Sequence, residues 1–205
     1  PGSSGLRPGK EGIVSPAIEA MHKLAAFDPP LPLIKPMAKP SLLSPALNYL
    51  GTAGHFNPFT GEAQFNDMMP EFTRPFVACH EMAHQMGVGA EDEANFIGFI
   101  AARSSGNPLL KYSAYYHAMQ EFMREVCRTD SLAYKELKGR ISAPVLNDLL
   151  AEQQFWRKYQ GDVNMLSSIF YDNYLKMNKQ PEGLSTYNRM IILTMAYYKR
   201  EGFFD

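Results

Sequence analysis

A predominantly helical α+β domain is predicted by three observations. Apolar residues recur at helical spacing over most of the chain beyond Thr73, for instance Leu146, Leu149 and Leu150, and again Ile191, Ile192, Met195 and Ala196. One stretch, residues 48–67, departs from that period and carries a hairpin signal: His55-Phe56 and residues 62–66 flank Asn57-Pro58-Phe59-Thr60-Gly61. Finally, 205 residues that are 45% hydrophobic and 20% charged suffice for one domain with a substantial core, whereas two would be cramped.

Residues 1–12 have the Gly, Pro and Ser content of a flexible lead-in. Ser15 and Pro16 suit a helix N-cap and first turn, and Ala17, Ile18, Met21, Leu24 and Ala25 follow at helical spacing, so a short helix to Phe27 is predicted. Nine of the fifteen prolines fall within the first 45 residues, which predicts an extended arm over residues 28–45. The chain therefore divides into a lead-in, helix and proline-rich arm (residues 1–47) and a compact domain (residues 48–205).

After the hairpin, Thr73 as N-cap with Pro75 starts a helix that runs through residue 84. Gly87 can close it in the left-handed conformation, which costs glycine no side-chain clash. Glu91, Asp92 and Glu93 open the next helix, where acidic residues suit the positive end of the dipole, and Ala94, Ile97, Phe99, Ile100 and Ala101 give it an apolar face. Ser104-Ser105-Gly106-Asn107-Pro108 reads as a loop, followed by helices over 109–127, 130–138, 144–159, 163–178 and 185–200.

A formal net charge of −1 leaves no basic footprint for nucleic acid or anionic lipid. The twelve methionines, eleven tyrosines and thirteen phenylalanines read as core filling. Cys79 and Cys127 are far apart, and their spacing assigns no disulfide; Cys79 reads as a buried thiol. No run of 18 apolar residues occurs and residues 1–10 lack a signal-peptide core, so the chain as given is expected to be a soluble domain.

The chemistry concentrates in His80-Glu81-Met82-Ala83-His84. Histidines four residues apart rise from one helix face and can grip one zinc ion, while Glu81 sits where a carboxylate can take a proton from an activated water and pass it to a leaving amine. The Gly87 turn and the acidic start of the next helix can fold a carboxylate back as a third ligand, giving two histidines, one carboxylate and an open position. His55 reads as a hydrogen-bonded or surface histidine rather than a ligand. Hydrolysis also needs a donor for the developing oxyanion, for which Tyr112 and Tyr187 are candidates. A different class of reading is a helical partner-binding domain with a structural or vestigial zinc site, but a structural site has no use for a base at Glu81.

His80-Glu81-Met82-Ala83-His84 with Glu91-Asp92-Glu93-Ala94-Asn95 downstream resembles the gluzincin metallopeptidases, and the second segment is similar in wording to ImmA/IrrE-type peptidases. A longer pattern through Phe56-Asn57-Pro58-Phe59-Thr60-Gly61, Tyr112-Ser113-Ala114-Tyr115 and Gly183-Leu184-Ser185-Thr186-Tyr187 resembles a bacterial domain-of-unknown-function family of membrane-anchored zinc peptidases, over roughly residues 36–200. The resemblance implies a zincin-like fold with a small antiparallel hairpin beside the His80–His84 helix, and an edge strand that holds an extended peptide or protein substrate. It also implies Zn2+ bound by His80, His84 and Glu91, with Asn95 bracing the site one turn after Glu91. Only six residues separate His84 from Glu91, fewer than in thermolysin-like enzymes, and Ala90 stands where a metzincin would carry its third histidine. Membrane attachment is expected only through a tether outside this chain, in a bacterial envelope.

Overall fold

The computed structural model describes residues 11–27, 35–159 and 189–202. In chain order these form α1 (Glu11–Phe27), β1 (Ala38–Pro40), α2 (Ser44–Leu50), β2 (Gly54–Asn57), β3 (Glu62–Phe65), α3 (Arg74–Gln85), α4 (Glu91–Ser104), α5 (Pro108–Thr129), α6 (Ser131–Gly139), α7 (Ala143–Arg157) and α8 (Arg189–Arg200). Helices dominate, as the periodicity predicts, and the expected helix over 163–178 lies outside the described residues.

The hairpin is present, but it belongs to a larger sheet than the sequence suggests. β2 pairs antiparallel with β3, placing Gly54 opposite Phe65 and His55 opposite Gln64. β1, inside the stretch read as an extended arm, pairs parallel with β3 from Ala38–Ala63 to Pro40–Phe65. The result is a mixed three-stranded sheet in the order β1-β3-β2, with β2 at an edge. An extended proline-rich segment can join a sheet at its margin, where a missing N–H is tolerated. α2 is a second departure from the extended reading, with Pro45 in its first turn and Gly51 closing it at φ 67°.

α1 begins a turn earlier than its expected N-cap at Ser15 and carries Pro16 inside. The proline ring faces the carbonyl of Gly12 in such a helix, and the extra turn is held by tertiary contact, because Ile13 is buried against Phe72, Leu109 and Tyr116. Ala17, Met21 and Ala38 lie in the same core as Phe65, Met82 and Phe99, so elements before residue 48 are built into the domain.

α3 runs through the middle, touching α1, α4, α5 and all three strands. Its N-terminus is tied to α5 by Ser113, whose hydroxyl accepts from Phe76 N–H at 3.0 Å and donates to the Thr73 carbonyl at 3.3 Å. Thr73 is the N-cap residue as predicted, but its own hydroxyl donates to the Pro70 carbonyl instead of capping. No helix among the described residues is long and apolar enough to cross a membrane.

The sheet meets α3 at Gly54. A Cβ there would lie 2.6 Å from Glu81 Oε1, 2.8 Å from Val77 Cγ1 and 2.9 Å from the Gln64 carbonyl oxygen, so only glycine fits without displacement. Gly54→Ala is therefore expected to push β2 off α3 and lower stability by about 1–3 kcal/mol. Thermal melting measures this, and an unchanged Tm would mean that strand and helix are not in the contact described.

Candidate metal centre

Three side chains from two helices converge. On α3, His80 and His84 stand one turn apart, with their Nε2 atoms 3.1 Å from each other and their rings edge to face. α3 then ends as the sequence predicts, with Gly87 at φ 92° reversing the chain and Val88 N–H returning to the Ala83 carbonyl at 3.1 Å. Three residues later α4 starts at Glu91, whose Oε2 lies 3.2 Å from His80 Nε2 and 3.6 Å from His84 Nε2.

The approach of α4 is set by Gly98, two turns after Glu91. A Cβ at Gly98 would lie 3.1 Å from His80 N and 3.3 Å from His80 Cα, so the two helix backbones are almost in contact at the first histidine. Residues seven apart share a helix face. The contact at Gly98 therefore turns the Glu91 carboxylate toward the histidines.

These spacings can be tested against a metal. Zinc takes nitrogen and oxygen ligands at about 2.0–2.2 Å in a tetrahedron, which requires donor atoms about 3.3 Å apart. The three observed separations, 3.1, 3.2 and 3.6 Å, bracket that value. The donor set thus fits zinc. Among the described residues, the group His80, Glu81 and His84 also brings ligand atoms within 4.8 Å of one another.

The two carboxylates occupy opposite electrostatic situations. Glu81 is 5% exposed, and burial pushes it up to about 7, against the pull of His80 and His84 and with some help from Glu91. Burial acts on Glu91 in the same direction, but the hydrogen bonds and charges of His80 and His84 outweigh it and hold that carboxyl well below the usual range. For His84, burial lowers the pKa, yet Glu91, Glu81 and the Val88 carbonyl carry it above its ordinary value. His84 Nδ1 donates to Val88 O at 2.7 Å, which in the neutral ring leaves the Nε2 lone pair facing the cluster.

Asn95 is buried on α4, but the bracing bond is not made to His80 Nδ1, which is buried with no partner. Its neutral amide sits on a helix whose rotation is set by the Gly98 contact. The Tyr112 hydroxyl donates to Asp148 and its ring packs with Phe72 and Tyr116. Tyr187 lies outside the described residues. His55 follows Gly54 on β2, and because strand side chains alternate it faces away from Glu81.

Sequence reasoning missed four supports: Gly54, Gly98, the Val88 carbonyl and Asp92. Asp92 is fully buried beside Glu91, with Arg189 Nε of α8 3.1 Å from its Oδ2. Only the Val88 carbonyl had a local signal, the Gly87 turn that aims it back at His84. The other three depend on elements distant in sequence.

Residues 4–195 match the profile of a family described as Protein of unknown function (DUF3810). The chain belongs to this family. No curated protein and no solved structure matches the chain. The DUF3810 match spans the His80–Glu91 site and Arg189, and bears out the expected membership in an uncharacterised family without attaching an activity to it.

Burial of Glu81 generates a pH prediction for metal-stripped protein. The folded state keeps the Glu81 proton up to about pH 7, whereas the unfolded chain releases it in the ordinary carboxylate range. The resulting stabilisation is complete below that ordinary range and is lost as pH rises through about 7. Glu81→Gln carries no such loss, so its stability relative to the parent should rise between pH 5 and pH 8, by on the order of 3 kcal/mol. Denaturant melts at both pH values check this, and a pH-independent difference would contradict it.

Proposed function

We propose that this chain is a zinc-dependent metallopeptidase of gluzincin type that hydrolyses peptide bonds. The observation that carries the reading is the convergence of His80 Nε2, His84 Nε2 and Glu91 Oε2 at tetrahedral spacing, with Glu81 buried beside them. Three protein ligands and a separate carboxylate are the parts of a catalytic site with an open position, whereas a structural zinc is normally closed by a fourth ligand. When bound, zinc would supply Lewis acidity to a water and to the peptide carbonyl.

Each residue then has a task of its own. His80, His84 and Glu91 hold the ion, and the Val88 carbonyl orients the His84 ring. Glu81 accepts the proton of the attacking water and delivers it to the departing amine. Burial of its carboxyl favours the protonated form, which strengthens its hold on the proton between the two transfers. β2, at the sheet edge and against Glu81 through Gly54, supplies backbone groups that can pair with an extended peptide or protein substrate. The resemblance of the sequence to membrane-anchored zinc peptidases supports a place at a bacterial membrane through a tether outside this chain.

The test separates grip from chemistry. Glu81→Gln should retain one zinc by metal analysis while kcat/KM on a responsive peptide falls about 100-fold or more. Glu91→Ala should weaken zinc binding by at least about ten-fold. Undiminished hydrolysis by Glu81→Gln would refute its role as base, and unaltered zinc affinity of Glu91→Ala would remove it from the ligand set.

A further inference from the structure

Thr73, Val77 and Glu81 recur every four residues on α3 and so share one face. The first two form the floor of a cavity of about 760 Å3, enclosed by α5 on one side and by α6 and α7 on the other. Val77 joins this space to the site, because its Cγ1 lies 2.8 Å from the Cβ position of Gly54, where Glu81 also touches the strand. Ala53, directly before Gly54, lines the cavity too. A chain paired along β2 would therefore have a side chain at the cavity mouth.

Most polar groups of the wall are satisfied by one another, the exception being His117 Nε2, which is buried without a hydrogen-bond partner. The Tyr116 hydroxyl and Gln120 Nε2 both donate to Glu152 Oε2 at 2.7 Å. Arg124 makes two hydrogen bonds to Glu121, at 2.8 and 2.7 Å, and the Lys138 ammonium lies 5.8 Å from the Tyr134 ring centre. What the wall offers an occupant is Met69, Val77, Leu149, Leu150 and Trp156. A charged group entering here would lose its water and find few free partners. The volume falls within the range of about 300–1,000 Å3 usual for ligand sites.

We infer that this cavity binds a bulky apolar side chain, of leucine or phenylalanine size, from the polypeptide beside the bond to be cut. The inference rests on the peptidase reading for the nature of its occupant. Trp156 is the single tryptophan of the chain and lines the cavity, so its emission reports occupancy without any need for turnover.

Blocked pentapeptides Ala-Ala-Xaa-Ala-Ala, with Xaa as Leu, Phe, Ala or Asp, are titrated into zinc-loaded Glu81→Gln protein. Burying a large apolar side chain should make the Leu and Phe peptides bind about ten- to a hundred-fold tighter than the Ala peptide, with Asp no better than Ala. Leu149→Arg should abolish that difference. Gln153→Phe, at an exposed rim position that folding tolerates, should weaken the Phe peptide more than the Ala peptide. Equal affinity for all four peptides, or selectivity unchanged in both variants, would overturn the assignment. Selective binding with no hydrolysis by the unsubstituted protein would sink the peptidase reading and leave the cavity assignment standing. Hydrolysis with no preference at Xaa would do the reverse.

Discussion

The near contact of two helix backbones at Gly98 and His80 is the constraint on which the site depends. α3 presents His80 and His84 on one face, but a third donor can reach them only if α4 approaches closely and in the right rotation. Gly98 removes the side chain that would hold the helices apart, and Glu91 lies two turns earlier on the same face. The short Gly87 turn limits where α4 can begin, and the buried Asp92, facing Arg189 of α8, fastens that beginning from the other side. Glycine thus sets the distance, while the turn sets where the helix begins.

The second consequence is electrostatic. Glu81 and Glu91 are the same chemical group, ten residues apart on successive helices, yet their surroundings push their proton affinities in opposite directions. Glu91 meets two imidazoles, which favour its ionised form. Glu81 is enclosed by β2 and by the apolar face of α3, where removal from water favours the protonated acid. A pair of carboxyls driven apart in this way can divide the work of binding and proton transfer.

Around this centre the helices differ in how they are held. α5 is fastened to α3 through Ser113 and shares its buried core, whereas α6 and α7 bury no residue fully. α7 is held to α5 in part by a row of hydrogen bonds, Tyr112 to Asp148 and Tyr116 with Gln120 to Glu152. Polar pins with little apolar burial behind them place this pair of helices among the less stable parts of the fold. They also leave room between α7 and the body, which is the space beside Val77.

The helical α+β class, the hairpin, the α3 boundaries and the Gly87 turn were legible in the sequence because each is local: apolar spacing, a glycine at a helix end, acidic residues at a helix start. His80, Glu81 and His84 were legible for the same reason, since four residues of helix bring two side chains to one face whatever surrounds them. Local patterns could not show that β1 joins the sheet or that Pro45 opens a helix, because those outcomes depend on pairing with β3 and packing below it. They could not show that the Tyr112 hydroxyl turns to Asp148, thirty-six residues away, or that His80 Nδ1 is buried without a hydrogen-bond partner. The sequence by itself determined which groups are available for metal chemistry. Tertiary structure decided which of them meet, because the glycines at 54 and 98 act only through the elements that fold against them.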